Sequence, residues 1–137
     1  MKITARAEYA SLAVLDLALH YNSGQVQAKE IADRQQIPLK FLEQILIQLR
    51  NAGLVRSIRG ASGGYLLARS PDEISLKDVV EAVEGELNII DSKLDDRTLK
   101  AVWTEIQEDF LSRLGTVTIR QLVNRKLQEK QVLDFQI

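Results

Sequence analysis

The order of apolar and polar positions divides the chain into a helical opening, a short strand-like interlude and a helical close. From about Thr4 to Tyr21 the chain is rich in alanine and leucine, and "NSG" at 22–24 supplies the chemistry that stops a helix. A short helix is predicted over "AKEIADRQQ", with Ile31 and Ala32 turned inward. Ile37 and Pro38 end the following turn, and proline suits the start of a new helix because its fixed φ is already helical. The next segment, "PLKFLEQILIQLRNAG", is the most regular in the chain. Leu39, Leu42, Ile45, Leu46 and Leu49 form one apolar stripe, while Lys40, Glu43, Gln44, Gln48 and Asn51 hold the opposite face. Ile47 interrupts that polar face.

The period then changes. "LVRSI" and "YLLAR" are short runs rich in branched and aromatic residues, separated by a glycine-containing loop of about five residues. That pattern predicts a β-hairpin. The segment "SIRGASGGYLL" holds Gly60, Gly63 and Gly64, three of the seven glycines in the chain. It lacks the lysine and the following Ser/Thr of a phosphate-binding P-loop. Helix, short helix, tight turn, polar-faced helix and hairpin, in that order, make a winged helix-turn-helix whose hairpin is the wing.

Beyond Pro71, "SLKDVVEAVEG" predicts a helix with Ser75 as N-cap and Asp78 three residues on. "ELNIIDSKLDD" reads as a connector. In "RTLKAVWTEIQEDFLSRLG" apolar residues recur at Leu99, Val102, Trp103, Ile106, Phe110, Leu111 and Leu114, and Gly115 is expected to stop the helix. A last helix, "TIRQLVNRKLQ", starts at Thr118 with Gln121 facing the cap. The expected fold is mainly α: a winged helix-turn-helix with a two-stranded wing, followed by a long C-terminal helix.

In a helix-turn-helix the second helix enters the major groove, and its N-terminal residues reach base edges. Here Lys40 can donate to guanine or phosphate, Gln44 can pair with adenine, Glu43 can accept from cytosine, and Phe41 can pack on a thymine methyl. On the wing, glycines let the loop lie flat with its N–H groups toward phosphates, and Arg59 can reach into a narrow minor groove. Lys2, Arg6, Lys29, Arg56 and Arg69 could add phosphate contacts that position without reading sequence. The candidate DNA-binding set is therefore Lys40, Phe41, Glu43, Gln44, Gln48, Arg56, Arg59, Gly60 and Ser62.

Charge sharpens this picture. The net charge of −1 conceals a basic half, with nine Lys/Arg against five Asp/Glu over 1–70, and an acidic half, with nine against fourteen over 71–137. The basic half suggests a polyanionic partner. The chain has no cysteine and one histidine, His20. Disulfides, thiol catalysis and cysteine-ligated metals are thereby excluded, and no nucleophile–base pair suggests an enzyme. The apolar runs are too short for a bilayer, and the N-terminal stretch lacks a signal-peptide cleavage site, so a cytoplasmic protein is expected.

Three segments, "RAEYASLAVLDLAL", "IADRQQIPLKFLEQIL" and "LRNAGLVRSIRGASGGYLLAR", together resemble the iron–sulfur cluster regulator (IscR/NsrR/CymR) type family of bacterial transcription factors. "AVW" at 101–103 and "TIRQLV" at 118–123 extend the likeness to about residue 124. The resemblance implies a homodimer in which the long helix near 98–114 crosses its symmetry mate, with Leu99, Trp103, Ile106, Phe110 and Leu114 in the interface. It implies DNA contacts at Lys40, Phe41, Glu43 and Gln44 and minor-groove insertion at Arg59. Pro38 stands where some members carry a DNA-contacting serine.

Many members of that family hold an iron–sulfur cluster on three connector cysteines. Here the connector has none, and Glu8, which matches an acidic fourth ligand of some members, cannot replace thiolates. The expectation is a cysteine-free member without a cofactor, regulated by other means such as a partner protein. The expected organisation is a DNA-binding unit over 1–84, a connector over 85–97 and a dimerisation unit over 98–137. The expected function is a homodimeric repressor on an inverted-repeat operator. The alternative is a regulator that works mainly by docking a partner protein.

Overall fold

One helix, α1 (Ala5–Leu19), occupies the centre of the molecule and touches every other helix of the core. In the computed structural model the described residues are 3–90, 93 and 95–136, with the side chains of 135 and 136 excepted. Lys2 and Asp91 lie outside them. The inward faces of α1 are largely alanine. Ala7, Ala10, Ala13 and Ala18 are all buried, and their small side chains let several elements approach one axis. Thr4 caps the helix by accepting from the Ala7 amide at 3.1 Å, and its hydroxyl also hydrogen-bonds the Glu84 carboxylate.

After α1 come α2 (Ala28–Gln35), α3 (Leu39–Asn51), β1 (Val55–Ile58), β2 (Gly64–Leu67), α4 (Leu76–Glu84), α5 (Arg97–Thr116) and α6 (Ile119–Gln136). The winged helix-turn-helix is present as expected. Gln36 takes a left-handed conformation, φ 55°, which ends α2. Ile37 is buried just after it and its amide bonds back to Ala32 at 3.0 Å. Pro38 holds the N-cap position of α3 and not its first turn.

Leu42, Ile45, Leu46 and Leu49 of α3 are at most 1% exposed. Burial of such a side chain is worth roughly 1.5–3 kcal/mol, so packing and not helix propensity sets the rotation of α3 about its axis. Leu39 departs from the expected stripe. It lies in the first turn, beyond the reach of the core, and remains 39% exposed.

The wing strands pair antiparallel from Val55↔Leu67 to Ile58↔Gly64, leaving a five-residue loop over 59–63. Val55 and Leu67 anchor its base in the core. In α4 the capping box is formed as the sequence predicts: the Ser75 hydroxyl accepts from the Asp78 amide at 3.0 Å, and the Asp78 carboxylate accepts from the Ser75 amide at 2.9 Å.

Gly115 does not stop α5, which runs on to Thr116. The break is set from outside the helix. Leu76 N–H donates to Val117 C=O at 2.8 Å, and Ile119 N–H donates to Ile74 C=O at 2.9 Å. These bonds pin the α5–α6 junction to the loop before α4. Ile119 and Val123 then join the central core. The last helix runs to Gln136, well past the "TIRQLVNRKLQ" segment.

Candidate nucleic-acid interface

Because the core takes one face of α3, the opposite face is left to solvent. Lys40, Glu43, Gln44, Ile47 and Asn51 are exposed and Gln48 is half-buried. Phe41 departs from this group. It is half-buried against the core and sets its ring edge-on to Tyr9, centroids 5.5 Å apart, so it stands at the margin of the face. The turn Ala52-Gly53 leads straight into β1, which packs on α3 and sets the wing beside it.

On the wing Arg56, Arg59, Gly60 and Ser62 are exposed. Among the described residues Lys40, Arg56 and Arg59 form no ion pair, so their charges are uncommitted. Arg69 is engaged internally, donating to the Glu73 carbonyl at 2.7 Å. The glycines have work other than the expected phosphate cradle. Gly63 is buried, and its N–H is spent on the Gly60 carbonyl at 3.0 Å. Gly64 lies so close to the loop before α2 that a Cβ would sit 2.6 Å from the Val26 carbonyl oxygen. Of these three, Gly60, φ 111°, is the exposed one.

That close approach builds a third edge onto the wing. Val26 and Tyr65 exchange backbone hydrogen bonds of 2.9 and 2.7 Å. Nearby, the Gln25 side chain donates to the Ser62 carbonyl at 2.6 Å and ties down the wing tip.

A buried carboxylate holds the other half of the motif. Asp16, on α1, is 1% exposed. Arg34 of α2 grips it with two donors, Nη2 to Oδ1 at 2.8 Å and Nε to Oδ2 at 3.0 Å, and Gln35 adds a third bond at 3.0 Å. Burial pushes the Asp16 carboxyl upward, but the hydrogen bonds from Arg34 and Gln35 and the Arg34 charge outweigh it and hold the group below its usual range. The same pairing raises Arg34. His20, at the end of α1, places Nδ1 2.8 Å from the Asp16 carbonyl oxygen, a local structural role. Sequence spacing offers no signal for a clamp between residues 18 apart on two helices. The only hint is an aspartate inside an apolar stretch.

The second half exposes a different surface. Leu99, Trp103, Ile106 and Phe110 are 46–52% exposed, and no residue of α5 is buried. Leu114 is half-buried. No other described part of the single chain covers this face. Leu127, Val132 and Leu133 of α6 are exposed as well, a feature the sequence reading missed. The connector rests on α5 through Gln107, whose Oε1 accepts from the amides of Ile89 at 2.5 Å and Ile90 at 3.3 Å. The carboxylates described in and beside it are Glu84, Glu86, Asp95 and Asp96.

Residues 3–125 match the Rrf2 family, described as iron-dependent transcriptional regulators. A Synechocystis protein named as an HTH-type transcriptional regulator is 40% identical over 128 residues, covering 89% of this chain and 87% of that protein. The transcriptional regulator IscR of Xenorhabdus nematophila is 37% identical over 141 residues, covering 98% and 84%. Among solved structures, CymR, the global cysteine regulator of B. subtilis, superposes with a TM-score of 0.84 at 31% identity over 91% of this chain and 98% of that one. T. potens IscR does so with 0.80 at 36% identity, covering 92% and 88%. These relatives are named as regulators and not as enzymes. Among the described residues no helix is long and apolar enough to cross a membrane. With an exposed polar recognition helix, a wing beside it and likeness over nearly its whole length, the chain belongs to the Rrf2 family of DNA-binding, winged-helix transcriptional regulators.

Proposed function

We propose that this protein is a homodimeric repressor acting in the cytoplasm, with α3 reading base edges in the major groove and Arg59 entering the adjacent minor groove. The observation that carries this reading is the solvent face of α3, where Lys40, Glu43, Gln44 and Gln48 stand beside a wing whose Arg56 and Arg59 form no ion pair among the described residues. Glu43 and Gln44 specify bases. Lys40 and Arg56 hold phosphates, while Gly60 and Ser62 shape the tip that presents Arg59. The apolar face of α5 crosses its symmetry mate to make the dimer, and two α3 helices then address an inverted repeat.

In a gel-shift assay on selected DNA the protein is expected to prefer an inverted repeat and to lose affinity steeply with salt, as several phosphate contacts require. Arg59→Ala should weaken binding most at sites with A·T-rich flanks, where the minor groove is narrow. Equal binding to all duplexes, or silence of Arg59→Ala on every site, contradicts these assignments.

The family description invokes iron, but the residues present do not fit an iron–sulfur cluster. The chain has no thiolate, and the connector offers carboxylates, which suit harder ions. Glu8 is exposed in the first turn of α1. The protein is therefore expected to be colourless when purified without oxygen, with DNA binding indifferent to oxygen and iron chelators. A brown protein with stoichiometric iron and sulfide contradicts this. The signal then comes through something that meets the connector and the acidic second half. A partner protein with a basic surface suits that half better than an anionic metabolite, which it would repel.

A further inference from the structure

The exposed face of α3 carries an apolar residue at its centre that none of these roles uses. Ile47 is 45% exposed at the centre of a face otherwise made of Lys40, Glu43, Gln44, Gln48 and Asn51. The other exposed apolar residue of α3, Leu39, sits at its first position. Ile47 lies one turn beyond Glu43 and Gln44 and along the same direction as Lys40, seven residues earlier. The aromatic ring that sequence reasoning offered to a thymine, that of Phe41, is turned to Tyr9 instead.

Resting on the DNA-binding reading above, we propose that Ile47 is a specificity-determining residue that recognises the C5-methyl group of a thymine, next to the bases met by Glu43 and Gln44. Its side chain has no donor or acceptor. A base edge that presents only hydrogen-bonding groups would lose water against it and gain no partner. Of the four bases, thymine alone presents an apolar group in the major groove. A β-branched side chain in a helix is held near one χ1 rotamer, so the contact is ordered before DNA arrives. A protein partner is the less suited occupant, because the residues one turn from Ile47 on this face, Glu43, Gln44 and Asn51, are exposed and polar and do not extend it into an apolar patch. Residues three apart on a helix are separated by about 4.5 Å along its axis, so the thymine falls within one or two base pairs of the Gln44 contact.

The test uses the full-length protein and the inverted repeat it selects from a random pool. Each thymine of the half-site is replaced in turn by deoxyuridine, which removes only the C5-methyl group. Wild-type protein should lose affinity at one symmetry-related thymine, by about fourfold per half-site, the effect of one buried methyl. Ile47→Ala should bind the thymine and uracil duplexes equally at that position and keep its preference elsewhere. Its thermal unfolding should match wild type, since the site is exposed and alanine favours the helix. Indifference of the wild type to every substitution overturns the proposal, as does unchanged discrimination by Ile47→Ala. Failure of the DNA reading itself shows up separately, as no preference of wild type for the selected repeat over a scrambled duplex, and removes both.

Discussion

Replacing Ile106 with glutamate should turn the protein into monomers or aggregate and lower operator affinity by about 10²–10⁴-fold, the gain normally supplied by joining two binding modules. The site is remote from the α3 face and the wing. Leu99, Trp103, Ile106 and Phe110 recur at spacings of four, three and four along α5, the period of a helix that packs against another. All four are near half exposed in the single chain. Covering the exposed half of each is worth roughly 1 kcal/mol, and a carboxylate set among them must be desolvated without a partner. Sedimentation and gel shift on the same sample check the prediction. A variant that remains a tight, DNA-competent dimer places the interface elsewhere.

Asp16→Ala should destabilise the fold by about 3 kcal/mol, the lower end for breaking a buried pair. The lower end applies because the Arg34 side chain is 40% exposed and can regain water once its partner is gone. The paired carboxylate also makes stability depend on pH. Its folded-state pKa lies below the ordinary value of 3.8, so its contribution is fully present above that value. It is lost as pH falls from there through the folded-state pKa. Denaturant melts of wild type and Asp16→Ala, compared from neutral pH downward, should converge in acid. Parallel pH profiles would show that the clamp contributes nothing through its charge.

Local chemistry made much of this fold legible. The Ser75–Asp78 capping box, the buried stripe of α3 and the hairpin between two branched runs each depend on residues a few positions apart. The solvent face of α3 was legible for the same reason, as the complement of its stripe. Long-range contacts were not. Phe41 has the position of a groove residue, yet its ring packs partly on the core and edge-on to Tyr9, from another helix. Gly64 reads as a flexible loop residue until Val26 is seen against it. Gly115 looks like a stop, yet backbone bonds to the loop before α4 move the break past it. The Asp16 clamp likewise joins residues that no short window contains.

The backbone bridge between Val26 and Tyr65 gives the reading head the character of a caliper with its jaws locked. The wing is fastened to the loop that launches α2, and α2 is fastened to α1 through Asp16. Sliding Arg59 along the groove relative to α3 would break both bridge bonds and the Gln25 tether. On the proposed reading, the A·T-rich flank must lie at one set distance from the bases under α3. A single extra base pair between them shifts the flank by about 3.4 Å and turns it by about 35°. On that reading, half-site length is set by main-chain bonds between a loop and a strand, whatever bases the side chains of α3 prefer.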